Sequence, residues 1–274
     1  MRIRKLYAVS AGLMLLSGVC GAAGGLLVEH YHGIATGNVV SEVTPQTSKA
    51  NLTSASSTES VPSLVAHNSP AVVSITTQST TYSFFGGPIT EDGAGTGMIL
   101  TSDGYILTNN HVLPVDGGAI TVTTESGSQY SAKVIATNPT EDLALIKVNA
   151  SNLPTITLGD SSLEGPGDNV VAIGNALGQF QNSVMTGVIS GLNRSVQASD
   201  EDGLGGESLS GLLQVDAAIN PGDSGGPLID ASTGTVIGMD TAVSSDAQGI
   251  GFAIPINEAK NFIAPYVSTR AVNS

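Results

Sequence analysis

The chain has 274 residues, 41% of them hydrophobic and 12% charged, with 34 glycines; that composition excludes intrinsic disorder, and the length allows one large domain or two small ones. Acids outnumber bases by 23 to 9, a formal charge of −14, which argues against binding to nucleic acid phosphates or anionic lipid surfaces. The single cysteine, Cys20, excludes an intramolecular disulfide, and a 4% aromatic content with no Trp leaves the core to Val, Ile, Leu and Ala.

Arg2, Arg4 and Lys5 precede an uncharged run from Leu6 to Val28, closed by Glu29. About 20 apolar residues span a bilayer as a helix. The basic flank at the N-terminus places everything after it outside the cytoplasm. Residues 1–32 therefore read as a signal anchor. A signal peptide cleaved near Cys20–Ala23 is the second reading, and a lipoprotein box at Leu16-Ser17-Gly18-Val19-Cys20, weakened by Val19, is the third. All three export the body. Residues 33–63 are rich in Ser and Thr, lack apolar periodicity and read as a flexible linker. His30 and His32, either side of Tyr31, read as exposed histidines and not as a metal site.

After Ser69-Pro70 the texture becomes that of short strands. Ala71–Thr76, Gly97–Leu100, Tyr105–Thr108, Ala119–Thr123, Ala132–Ile135 and Leu143–Val148 are the candidates in the first half. Asn169–Ile173, Val184–Ile189, Leu212–Val215, Leu228–Ile229, Val236–Met239 and Gly249–Ile254 follow. Asp103-Gly104 is a hairpin signal. Strands at this spacing with glycine-rich turns predict an all-β fold of barrels or sandwiches. The turn-rich segment around Gly159–Asp168 divides the body into 64–165 and 166–274. Only Ile256–Tyr266 carries a helical pattern, with Ala259, Phe262 and Ile263 on one face.

The most informative stretch is Asn220-Pro221-Gly222-Asp223-Ser224-Gly225-Gly226-Pro227-Leu228. A serine hydroxyl is a weak nucleophile that needs a base within reach and donors for the oxyanion it creates. The turn Gly222-Asp223-Ser224 is the candidate oxyanion hole, with the N–H groups of Gly222 and Ser224 converging on one point. His111 is the sole histidine from residue 68 onward and hence the candidate base. Asp142, at the start of the apolar run Leu143–Val148, is the candidate carboxylate that orients it, with Glu141 as its neighbouring competitor. The order His, Asp, Ser is that of chymotrypsin-like enzymes, not of subtilisins or α/β-hydrolases.

From about Leu64 to Pro255 the chain resembles the HtrA/Deg branch of the trypsin/chymotrypsin-like serine proteases. The resemblance is carried by Gly95-Thr96-Gly97 with Asp103–Val112, by Asp142–Val148, by Gly174-Asn175 with Leu177-Gly178 and Thr186–Ser190, by Asp216–Leu228 and by Gly249–Pro255. It implies two six-stranded β-barrels with the catalytic cleft between them. His111 and Asp142 then come from the first barrel and Ser224 from the second. It also implies that Ile219, Thr241, Ala242 and Val243 line the pocket for the residue before the scissile bond, favouring Val or Ala. The activity implied is a serine endopeptidase acting on unfolded or exported proteins in protein quality control and the stress response, without cofactor or metal, with a homotrimer as a candidate assembly. Its site is the cell membrane with the protease outside the cytoplasm, or the exterior if the N-terminal segment is cleaved.

Three departures qualify the match. No PDZ domain is expected in the residues after Pro255. Asp223 stands where the branch most often has Asn, and no zymogen activation site accompanies it. The loop Gln78–Asp92, with Tyr82, Phe84 and Phe85, is short for a segment that in the family helps to form trimers. The alternative to an enzyme is a non-catalytic chaperone or binding module on the protease scaffold, with Asp223 holding an inactive turn.

Overall fold

The structure is a computed structural model that describes residues 60–82, 88–114, 117–176, 179–197, 208–241 and 249–267. The N-terminal run and nearly all of the linker lie outside these residues. No helix among the described residues is long and apolar enough to cross a membrane.

Among the described residues, twelve strands form two closed barrels. The first contains β1 (Val72–Tyr82), β2 (Pro88–Ile99), β3 (Tyr105–Thr108), β4 (Ala119–Thr123), β5 (Gln129–Asn138) and β6 (Leu143–Val148). The second contains β7 (Asn169–Ala176), β8 (Phe180–Gln197), β9 (Ser208–Val215), β10 (Pro227–Asp230), β11 (Val236–Thr241) and β12 (Gly251–Pro255). Around the first barrel the order is β1-β2-β3-β6-β5-β4, and β7 to β12 repeat it in the second. Closure leaves no unpaired sheet edge.

β-Branched and leucine residues fill both barrels. In β6, five of the six residues are buried. The exception, Lys147, holds its Nζ over the Tyr105 ring, 5.2 Å from the centroid, and 3.7 Å from the Asp103 carboxylate. One apolar cluster joins residues of both barrels, from Ile75, Ile106 and Leu145 to Ile173, Met239 and Ile254.

All twelve expected strands are present, with two differences at their margins. Residues 78–82 and 88–92, expected as a loop, form the outer part of a long hairpin in which Gln78 pairs with Asp92 and Tyr82 with Pro88. Phe84 and Phe85 lie outside the described residues. Helix α1 (Val61–Asn68) begins inside the stretch assigned to the linker. It buries Leu64, and Asn68 Nδ2 donates to the carbonyls of Leu64 and Gly234, tying the helix to the β10–β11 turn. Helix α2 (Ile256–Ile263) falls within the expected C-terminal helix and buries Ile256, Ala259 and Ile263 on one face.

Candidate active site

Strand pairing brings the candidate base and carboxylate together. β3 runs antiparallel to β6 with Thr108 opposite Ala144, so residues just after β3 lie against those just before β6. His111 sits in a 3-10 turn, Asn110–Val112, that follows β3. Its Nδ1 is 2.8 Å from Asp142 Oδ2. A carboxylate only accepts, so Nδ1 carries the proton and Nε2 is left as the basic nitrogen. The imidazole is 37% exposed and the carboxylate 1%, so the ring opens to solvent while its partner is sealed beneath it.

Asp142 is held from every side. Its Oδ1 accepts the His111 N–H at 2.9 Å; its Oδ2 also accepts from Asn109 Nδ2 at 2.9 Å and from Thr241 Oγ1 at 3.3 Å. Asn109 Nδ2 and the Asn110 N–H both donate to the Asp142 carbonyl. The residue has φ +53°, a left-handed conformation for a non-glycine. Such strain costs about 1–3 kcal/mol. Each hydrogen bond to a charged group returns about as much. Glu141, the neighbouring competitor, is exposed and accepts from Asn138 Nδ2, so it faces away from the imidazole.

On the second barrel, Asn220 to Asp223 make a turn closed by the Asp223 N–H on the Asn220 carbonyl at 3.0 Å. Pro221 supplies its fixed φ, and Gly222, at φ +96°, takes the position that an L side chain would strain, giving a type II turn. Ser224 follows, 3% exposed. Gly225 has φ +89°, and a Cβ there would stand 2.1 Å from the Thr96 carbonyl. Of the three residues expected to form the oxyanion hole, Asp223 has its amide committed to Asn220. Its part is in the shape of the turn and not in the donor set.

Thr96 on β2 links the two halves of the site. It is fully buried. Its N–H donates to the Ser224 carbonyl at 2.8 Å, and its hydroxyl donates to the Gly222 carbonyl at 2.7 Å while accepting the Asn175 N–H at 2.9 Å. Its carbonyl accepts from Thr108 Oγ1 at 2.7 Å, three residues before His111. The Gly222–Asp223 peptide is therefore pinned on both faces, by Thr96 at its oxygen and by Asn220 at its nitrogen.

Of the expected pocket residues, Ile219 lies over Gly251, where a Cβ would stand 3.1 Å from its Cδ1 and Cγ1. Thr241 is buried, and its hydroxyl is committed to Asp142, not to a substrate side chain. Ala242 and Val243 lie outside the described residues. A shallow groove beside His111 is lined by Thr77, Asp92, Ala94, Leu113 and Pro114, among others.

Sequence reasoning did not single out Thr96, Asn109 or Asp240 as site residues. Thr96 and Asn109 were visible inside the histidine motif but without a role, because their partners lie up to 126 residues away. Asp240 carried a signal of its own, a carboxylate embedded in the apolar run of β11, all six of whose residues are buried.

Residues 95–239 match the model of the trypsin-like peptidase domain. The chain is 48% identical over 172 residues to the serine protease HhoB of Synechocystis, covering 62% of this chain and 39% of that protein. A DegP-like periplasmic serine endoprotease of Chlamydia muridarum is 46% identical over 179 residues, covering 64% and 34% of the two chains. The chain thus spans well under half the length of these relatives. Among solved structures, a variant of the HtrA-type protease AlgW with a decapeptide superposes with a TM-score of 0.64 at 34% identity, covering 76% of this chain and 68% of that one. AlgW with a tripeptide gives 0.63 at 36% identity, covering 78% and 65%. With two six-stranded barrels and a matching peptidase domain, the chain belongs to the HtrA-type branch of the trypsin-like peptidase family.

Proposed function

We propose that the chain is a serine endopeptidase that cleaves unfolded or exported polypeptides outside the cytoplasm. The observation that carries this reading is the His111–Asp142 hydrogen bond, with its buried, fourfold-bonded carboxylate, joined through Thr96 to the turn that holds Ser224.

In this reading Nε2 of His111 takes the Ser224 hydroxyl proton as Oγ attacks the scissile carbonyl carbon. The new C–O bond forms as the carbonyl π pair moves to oxygen. The N–H groups of Gly222 and Ser224 stabilise that oxyanion. The imidazolium, its charge balanced by Asp142, gives the proton to the leaving amine, and the C–N bond breaks. Water repeats the sequence to release the acyl group and restore Ser224. Asp142 remains ionised throughout.

An aliphatic wall at Ile219 favours small apolar side chains before the cleaved bond. Each methylene discriminates by only about 1–3 kcal/mol, so specificity is broad. Export follows from the basic N-terminal flank and the apolar run after it, and agrees with the periplasmic naming of the Chlamydia relative. In this reading that run anchors the chain in the cell membrane.

Ser224→Ala is expected to abolish cleavage of casein, an unfolded protein, while leaving the fold intact by circular dichroism. Undiminished cleavage by that variant overturns the proposal. Casein binding without turnover by the unaltered chain favours the chaperone-type module instead.

A further inference from the structure

Three carboxyl oxygens beside the nucleophile have no role in the mechanism above. Asp223 precedes Ser224, Asp240 lies on β11, and both are fully buried. Oδ1 of Asp223 and both carboxyl oxygens of Asp240 make no hydrogen bond among the described residues. Only Oδ2 of Asp223 is engaged, accepting the Asn220 N–H at 3.0 Å.

The backbone ties the two residues to the catalytic turn and to each other. The Gly225 N–H donates to the Asp240 carbonyl at 2.9 Å, the Asp240 N–H to the Gly226 carbonyl at 2.8 Å, and the Gly226 N–H to the Asp223 carbonyl at 2.9 Å. Gly174 of β7 packs against the Asp223 side chain, where a Cβ would stand 2.4 Å from Oδ1. Side chains alternate along a strand, so Asp240 faces away from Thr241 and from the Asp142 that Thr241 contacts.

A buried site with one protein donor among the described residues does not readily hold two carboxylates. An ionised carboxylate needs donors or a counter-charge, and two neighbouring acids without a cation retain a proton between them. The one donor present, the Asn220 N–H, favours the charge on Asp223. The retained proton then belongs to Asp240.

We propose that Asp240 is a positioning residue: its carboxyl stays neutral in the buried site, so that Asp223 alone carries the pair's charge, held by the Asn220 N–H, and the Asn220–Asp223 turn beneath the oxyanion hole stays closed. The proposal rests on the peptidase reading and makes catalysis depend on a proton that belongs to neither Ser224 nor His111. Burial pushes the Asp240 carboxyl well above the usual carboxylate range, and the Asp223 charge pushes it further. Burial also raises Asp223, against the pull of the Asn220 N–H.

No other ionisable side chain faces the pair from the elements described around it. β7 presents Gly174 and Asn175, β2 presents Thr96, and β12 pairs Ala253 with Asp240. Beyond Thr241 lie Asp142 and His111, already paired with each other. The sign follows from the raised values. The proton stays bound below the raised pKa of the pair and is lost as pH climbs through it, leaving two like charges that force the turn apart.

The test is the rate at which a fluorophosphonate probe labels the full chain, measured against pH for the unaltered protein, Asp240→Asn and Asp223→Asn. An amide at 240 keeps the shape of the carboxyl and stays neutral at every pH. As pH climbs through the raised value of the pair the unaltered protein is expected to slow about tenfold, and Asp240→Asn less than about twofold. Any acid limb is common to all three proteins. Equal alkaline limbs in the unaltered protein and Asp240→Asn overturn the proposal. If Asp240→Asn does not fold, Asp223→Asn removes the repulsion from the other side and gives the same comparison. A flat alkaline profile in the unaltered protein overturns the proposal without any variant. No labelling of the unaltered protein at any pH instead overturns the peptidase reading on which the proposal rests.

Discussion

Two buried carboxylate sites flank Ser224, and they are built on opposite plans. On the first-barrel side, Asp142 accepts hydrogen bonds from the imidazole, a backbone amide, an asparagine and a threonine. On the second-barrel side, Asp223 and Asp240 share a single donor among the described residues between four oxygens. Burial is equal at the two sites, so burial does not set the difference in chemistry. Donor count does. A carboxylate surrounded by donors can hold its charge through a catalytic cycle, whereas a pair starved of donors keeps a proton and turns that proton into a structural part.

The comparison breaks most sharply at Asp142. Asp142→Asn is expected to lower kcat by about four orders of magnitude with little change in KM, because the amide presents an N–H to an imidazole that must itself donate. Steady-state cleavage of casein checks this, and a loss below about tenfold would place the working carboxylate elsewhere.

The link between the two sides is the next place to press. Thr96→Val keeps the shape of Thr96 but removes both hydroxyl bonds, leaving the Gly222 carbonyl and the Asn175 N–H without that partner. Kcat is expected to fall about tenfold, with KM nearly constant, and Thr96→Ser is expected to restore it. Equal losses in both variants would show that packing, and not the hydroxyl, carries the effect.

The smallest effect sharpens the comparison from outside the site. Glu164 is pushed up to about 7 by burial, with Asp230, Asp168 and Asp160 adding like charge. Its raised value stabilises the fold at acid pH, and that stability is lost as pH rises through about 7. Glu164→Gln is expected to flatten the change in Tm between pH 5 and pH 8 by an amount worth about 1 kcal/mol, solvent screening having reduced it. Unlike Asp240→Asn it is expected to leave the alkaline limb of probe labelling where it was. A shifted limb would make the proton dependence a property of the whole fold.

Much of this was legible in the chain. Short apolar, β-branched runs between glycine-rich turns mark all twelve strands, and the order His111, Asp142, Ser224 with its surrounding glycines points to the reaction class. Three features resisted reading, each for a physical reason. The outer hairpin at 78–82 and 88–92 is mostly polar, with Gln78, Ser79, Thr80, Thr81, Thr90, Glu91 and Asp92, so the period-two apolar signal is missing there. Helix α1 is a single short element whose burial rests on Leu64 and Asn68, too few positions to show a 3.6-residue period. Thr241 was expected on a pocket wall, yet its hydroxyl turns to Asp142, a contact between residues 99 positions apart. The partners of Thr96 and Asp240 are set in the same way, by barrel closure and not by neighbours in sequence.

The central claim is that Ser224, His111 and Asp142 work as one catalytic unit on the assembled oxyanion turn. Intact-mass analysis of the full chain after fluorophosphonate treatment near neutral pH tests it most directly. One adduct per chain, mapped to Ser224 and lost in both Ser224→Ala and His111→Ala, is the result expected. An adduct on another serine, or labelling that survives His111→Ala undiminished, would contradict it.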